Sequence, residues 1–113
     1  MSETRTLSVP DTRVRVEVLN GGGVGGAARR ATEFARSIGF DVVYFGNAES
    51  FDRVESEVVD RVGRPELAEA VAEALGIGNV RSDPDPDLYV DVSVVLGSRW
   101  DLPEDFRRSP AGS

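Results

Sequence analysis

The segment Val14 to Ile38, VRVEVLNGGGVGGAARRATEFARSI, constrains this chain more than any other, because a strand period gives way to a helix period across a run of glycine. Val14, Val16 and Val18 alternate with Arg15 and Glu17, which predicts a strand with one buried face and one wet face. From Gly25 onward Ala28, Ala31, Phe34, Ala35 and Ile38 recur on one side of a helix, with Arg29, Arg30, Glu33 and Arg36 elsewhere. Gly39 is expected to end that helix, since glycine takes positive φ without a Cβ clash. Five of the six positions from Gly21 to Gly26 are glycine. Ordering a backbone costs about 1 to 2 kcal/mol per residue and most for glycine, so the run is either a tight turn or a loop that stays mobile until it meets a ligand.

Two nucleotide motifs compete for this run. Gly21, Gly23 and Gly26 match G-x-G-x-x-G between a strand and a helix, but a dinucleotide turn also needs an acidic residue at the end of the second strand. There the chain reads Phe45, Gly46, Asn47, and Glu49 lies beyond the turn. A Walker A loop ends in Gly-Lys-Ser/Thr, whereas Gly26 is followed by Ala27. What remains is a close-packed turn, or a site where backbone amides and the helix N-terminus meet a carboxylate, phosphate or sugar oxygen. The candidate ligand-binding residues are Asn20, Gly21, Gly22, Gly23, Gly25, Gly26, Arg29 and Arg30. Asn20 is expected to fix the turn by side-chain hydrogen bonds, the glycine amides to contact the ligand, and the arginines to supply charge.

Composition removes most catalytic chemistry. The chain has no His, Cys, Lys or Gln, and its thirteen basic residues are all Arg. The usual serine or cysteine triad, the usual zinc, haem and iron–sulfur ligands, the Schiff-base lysine and the P-loop lysine are therefore absent. Carboxylates, hydroxyls, amides and arginine can bind, so no enzyme activity and no cofactor are expected. A net charge of −7 argues against a nucleic-acid partner. No apolar run approaches the ~20 residues of a membrane span, and no hydrophobic signal region follows Met1.

With 113 residues there is room for one core. Residues 1–12 read as a polar leader or linker remnant, 13–100 as the domain, and 101–113 as a mostly unstructured tail. A second strand is predicted at Val42 to Phe45. A third falls within Val54 to Val62, with Val54, Val58 and Val62 on one side. Pro65 and Glu66 start a second helix that buries Leu67, Val71, Ala74 and Leu75 and ends at Gly76. A loop follows from Asn79 to Asp87, with a short extended piece at Val80. A last strand runs through Val90, Val92, Val94 and Leu96. Charged or polar residues at alternate positions of the first and last strands, Arg15 and Glu17 in one and Asp91 and Ser93 in the other, mark a sheet covered on one face. The β-α-β-β-α-β order then predicts a ferredoxin-like α/β sandwich, an α+β fold with two helices on one face of a mostly antiparallel sheet.

Three other constellations read as structure. Asp83, Asp85 and Asp87 open like a calcium loop, but Leu88 and Val94 stand where Gly and Glu are needed. Glu55, Glu57 and Asp60 lack the cleft a glycosidase pair requires and read as a solvated strand face. Trp100 is expected to pack over the end of the core.

The V-L-N-G opening with its small-residue G-x-x-G, the G-F-D-V-V strand, GRPELAEAVAEALGI and the D-V-S-V-V-L-G ending with Trp100 together resemble the LytR C-terminal domain family over about Arg13 to Trp100. The family loop commonly reads N-G-T-G-x-x-G, and Gly22 replaces the Thr. The resemblance implies a domain found after the catalytic domain of LytR-CpsA-Psr proteins, which attach anionic glycopolymers to peptidoglycan, or alone behind a membrane anchor. It thus implies an extracytoplasmic, cell-envelope setting, with a cell-wall glycopolymer or envelope protein as partner, and the polar opening fits a domain excised from a longer protein. The transferase residues belong to the other domain, and none maps onto this chain. A protein-interaction or oligomerisation module using the edge strands or the open sheet face of Arg15, Glu17, Asp91 and Ser93 is the alternative. A nucleotide-binding fragment using the glycine loop is a third.

Overall fold

The computed structural model describes residues 13–103; the expected leader over 1–12 and the tail beyond Pro103 lie outside the described residues. The order is β1 (Arg15–Asn20), α1 (Ala27–Ser37), β2 (Asp41–Asn47), β3 (Glu57–Asp60), α2 (Pro65–Leu75), β4 (Val80–Ser82) and β5 (Val92–Leu96). The strands form one sheet in the order β2-β1-β5-β3-β4. Both helices cover the same face, because Ala28, Ala31, Phe34 and Ala35 of α1 and Ala68, Val71, Ala72 and Leu75 of α2 join one core with Val16, Val18, Val58, Val92 and Val94.

The α+β class and the one-sided helix layer agree with the sequence. The ferredoxin-like order does not. β1 pairs in parallel with both β2 and β5, β3 pairs in parallel with β4, and only β3 with β5 is antiparallel. Two βαβ units, β1-α1-β2 and β3-α2-β4, run in opposite directions on either side of β5. The physical reason is that alternation reports how many faces are covered, and carries no information on strand direction. β5 takes the centre because VSVVL carries no charge on either face, and even Ser93 on the open side is fully buried.

From β1 across β5 and β3 to β4 the face away from the helices is covered by charge, whereas Val43, Tyr44 and Phe45 of β2 are exposed. Arg61 donates from Nε to Ser93 Oγ at 3.0 Å and from Nη1 to Asp83, while Ser93 Oγ donates to Glu17. Arg81 reaches both oxygens of Glu57 at 3.2 Å and contacts Asp83, and Arg53 closes on Glu57 at 3.5 Å. The ladder shields Val59, which has no exposed surface. Several apolar assignments shift accordingly. Ile38 is the C-cap of α1 and 49% exposed, and Val54 and Val62 face solvent while Val58 and Val59 are buried. In α2, Ala68 and Ala72 are buried with Val71 and Leu75, Leu67 packs against the core while partly buried, and Ala74 is not among the buried residues.

Asp60, the last residue of β3, is fully buried on the helix side. Its Oδ1 accepts from the amides of Val62 at 2.9 Å and Arg64 at 3.0 Å, and its Oδ2 accepts from Ser82 Oγ at 2.8 Å. Burial acts to raise its pKa, but the donors from Arg64, Val62, Ser82 and Gly63 outweigh burial and hold the carboxyl below the ordinary carboxylate range. A depressed native pKa means that the carboxylate's contribution is complete above the unfolded value near about 3.9 and is lost as pH falls through the native one. Asp60→Ala is expected to cost about 2 to 4 kcal/mol at pH 7 in urea unfolding, and the gap to wild type should shrink steadily below about pH 4. A gap that did not change with pH would contradict the ionised, hydrogen-bonded state.

Candidate functional site

The predicted site lies at the carboxyl end of β1, where the chain turns into α1. Asn20 is buried, and its Oδ1 accepts from the amides of Gly23 at 2.9 Å and Gly22 at 3.3 Å. Its Nδ2 donates to the Val24 carbonyl at 2.8 Å. One side chain thus folds the whole turn, as an Asx residue can. Asp60 does the same between β3 and α2. The symmetry extends to the backbone: the carbonyl of Asn20 accepts from Ala48 just past β2, and that of Asp60 accepts from Asp83 just past β4, both at 2.9 Å.

The glycines divide into two groups. Gly21 donates to the Leu96 carbonyl and accepts from Arg53, and the amides of Gly22 and Gly23 are held by Asn20. A Cβ on Gly22 would lie 2.2 Å from the amide nitrogen of Ser98 and 2.5 Å from the carbonyl carbon of Gly97. Gly97 is equally confined, since its Cβ would lie 2.2 Å from the Val54 carbonyl oxygen. The first half of the run therefore exists so that three backbone segments can touch. In the second half, Gly26 has a φ of 78° as the N-cap of α1, and nothing lies within 4 Å of a Cβ built on Gly25. The amides of Gly25 and Gly26 have no acceptor among the described residues.

Arg29 is exposed with no hydrogen bond or ion pair among the described residues, and Arg30 Nη1 donates to the Gly25 carbonyl at 3.3 Å. The first turn of α1 has neither an acidic residue nor a side-chain cap. The structure therefore brings Gly25, Gly26, Arg29 and Arg30 to one surface, with Asn20 and Gly21 to Gly23 as its support.

A cleft of about 480 Å³ lies beside that support and was not apparent in the sequence. Gly21, Ala48, Val54 and Val95 line it together with Glu49, Ser50, Asp52, Arg53 and Glu55. It sits outside the carboxyl ends of the parallel strands β1, β2 and β5, the place where open α/β sheets generally hold ligands. The remaining acidic candidates are not brought together. Glu55 pairs with Arg99 at 2.9 Å, Glu57 with Arg81, and Asp60 is internal. Asp83 turns to Arg61 and Arg81, and Asp85 accepts from the Asp87 amide. Among the described residues no three carboxylates converge on a point that could hold a metal ion. Trp100 packs against the core and donates from Nε1 to the Leu75 carbonyl at 3.0 Å.

A family model described as LytR cell envelope-related transcriptional attenuator matches residues 13–100. The chain belongs to the LytR C-terminal domain family. That membership links it to the bacterial cell envelope, and LytR C-terminal domains are generally non-catalytic companions of the LytR-CpsA-Psr proteins. No curated protein and no solved structure matches this LytR C-terminal domain. No helix among its described residues is long and apolar enough to cross a membrane.

The two kinds of glycine predict opposite outcomes. Gly22→Ala forces two backbones apart and should cost about 2 kcal/mol or more in chemical denaturation. Gly25→Ala should be neutral or stabilising by up to about 1 kcal/mol, because it removes freedom from the unfolded chain without a native clash. Equal effects would show that the run is not divided in this way.

Proposed function

We propose that this LytR C-terminal domain is a non-catalytic recognition module of the cell envelope that binds an anionic wall polymer, or an anionic group of peptidoglycan, at the start of α1. One observation carries the reading. Arg53, Arg61, Arg64, Arg81 and Arg99 each pair with a carboxylate, whereas Arg29, Arg30 and Arg36, like Arg13 and Arg15 around the start of β1, have no carboxylate partner among the described residues, and only those of α1 are gathered on one helix. A chain of net charge −7 that leaves three guanidinium groups of one helix uncompensated retains a local site for anions. The free amides of Gly25 and Gly26 and the positive end of the α1 dipole add to the same field. Asn20 and Gly21 to Gly23 hold this surface in place, so little ordering entropy opposes binding.

The open sheet face is a poorer docking surface, since Arg61, Arg81, Glu57 and Asp83 are already paired across it and a partner would have to displace those bonds. The β2 edge is partly blunted as well. Arg36 Nη2 donates to the Val42 carbonyl at 2.8 Å, and the pairing with β1 shifts register between Val16 and Glu17.

An amide NMR titration with soluble peptidoglycan fragments and with a phosphate-containing wall polymer, using a nucleotide as control, tests the proposal. The expected result is saturable shifts centred on Gly25 to Arg30 with the envelope ligand alone, weakened about tenfold or more by Arg29→Ala with Arg30→Ala and by added salt. No shift with any envelope ligand, or shifts indifferent to the arginine substitutions, would overturn it.

A further inference from the structure

The helix layer is charged in a way the sheet side is not. α1 carries Arg29, Arg30 and Arg36 against Glu33 alone, while α2 carries Glu66, Glu69 and Glu73 and no basic residue. Arg29, Glu33, Arg36, Glu69 and Glu73 are exposed, and none has an ion-pair partner among the described residues. On the sheet side, by contrast, the charges are joined into the ladder from Arg53 to Glu17. Topology sets the two helices side by side over one face. Because β1 and β3 run in opposite directions about β5, α1 and α2 run in opposite directions as well.

From this arrangement we infer that the LytR C-terminal domain pairs with a second copy of itself through its helix layer. A twofold axis along the groove between the helices, parallel to both, turns the layer over and exchanges left for right. It therefore lays α1 of one copy on α2 of the other, and the converse, in a single closed isologous contact. Arginines then face glutamates twice over. Another copy is the occupant that the surface specifies, because a uniformly charged partner would meet repulsion from one of the two helices.

The contact is small. Helices of 11 residues are about 16 Å long and lie about 10 Å apart, which gives a patch of roughly 300 Å² per copy, well under the ~800 Å² of a standard stable interface. The pair is thus weak, salt-sensitive, and populated where copies are held at high local concentration. It also covers Arg29 and Arg36, so an anion on α1 competes with it.

Sedimentation equilibrium of the whole chain without any polymer tests this, and its outcome is separate from that of the binding proposal. At low ionic strength the average mass should rise with concentration towards a dimer and return to monomer near about 0.5 M salt. R29E/R36E and E69R/E73R should each be monomeric alone, and a mixture of the two should associate at least tenfold more strongly than either. A monomer at every concentration and salt, or variants that associate as wild type does, would overturn the inference. Concentration-dependent amide shifts of the unmodified chain give a second reading that needs no variant. Shifts on the outer faces of α1 and α2 support the pairing, and shifts confined to the sheet side overturn it.

Discussion

Each βαβ unit depends on one polar side chain at the end of its first strand. Asn20 and Asp60 point into the helix layer, where apolar residues would otherwise be expected, and each satisfies the amides that a sharp strand-to-helix turn leaves without partners. The cost of burying a carboxylate is offset at Asp60 by the hydrogen bonds that its two oxygens accept, among them those from Val62, Arg64 and Ser82. Those same bonds tie the start of α2 to the edge strand β4. The turn that leads into each helix is fixed by these two residues, and with it the surface at the start of α1.

Much of the fold was legible because its signals are local. The valine alternation of β1, Pro65 and Glu66 at the start of α2, and Gly76 with its φ of 73° at the end of that helix all act within a few residues. Asn20 was recognisable as the residue that fixes the turn, since an Asn at the end of a strand before glycines has few other uses. Strand order was not legible. It depends on which strand can tolerate burial on both faces, and the signal for that, the absence of charge in VSVVL, is faint in five residues. Asp60 was misread as part of a wet strand face, because nothing local distinguishes a capping carboxylate from a solvated one. The cleft beside Gly21 brings residues 48–55 against Val95, which no spacing in the sequence indicates.

The charge distribution divides the molecule by face. On the sheet side guanidinium and carboxylate groups alternate in space and neutralise one another from β1 to β4, while the edge strand β2 leaves Val43, Tyr44 and Phe45 exposed. On the helix side like charges are collected on separate helices. Exposed pairs of this kind contribute little to stability, typically under about 1 kcal/mol each, so the segregation has small consequence for folding. Its consequence is for what approaches the molecule, and from which side.

Glycine runs are usually taken as hinges, yet Gly22 and Gly97 are the points where three chain segments press backbone against backbone. Residues 20–23, 51–55 and 97–100 consequently form one stiff block, and Trp100 joins that block to the carboxyl end of α2 through the Leu75 carbonyl. The turn that opens α1 and the residue that closes α2 thus share one continuous set of close contacts, although they lie more than fifty residues apart in the chain.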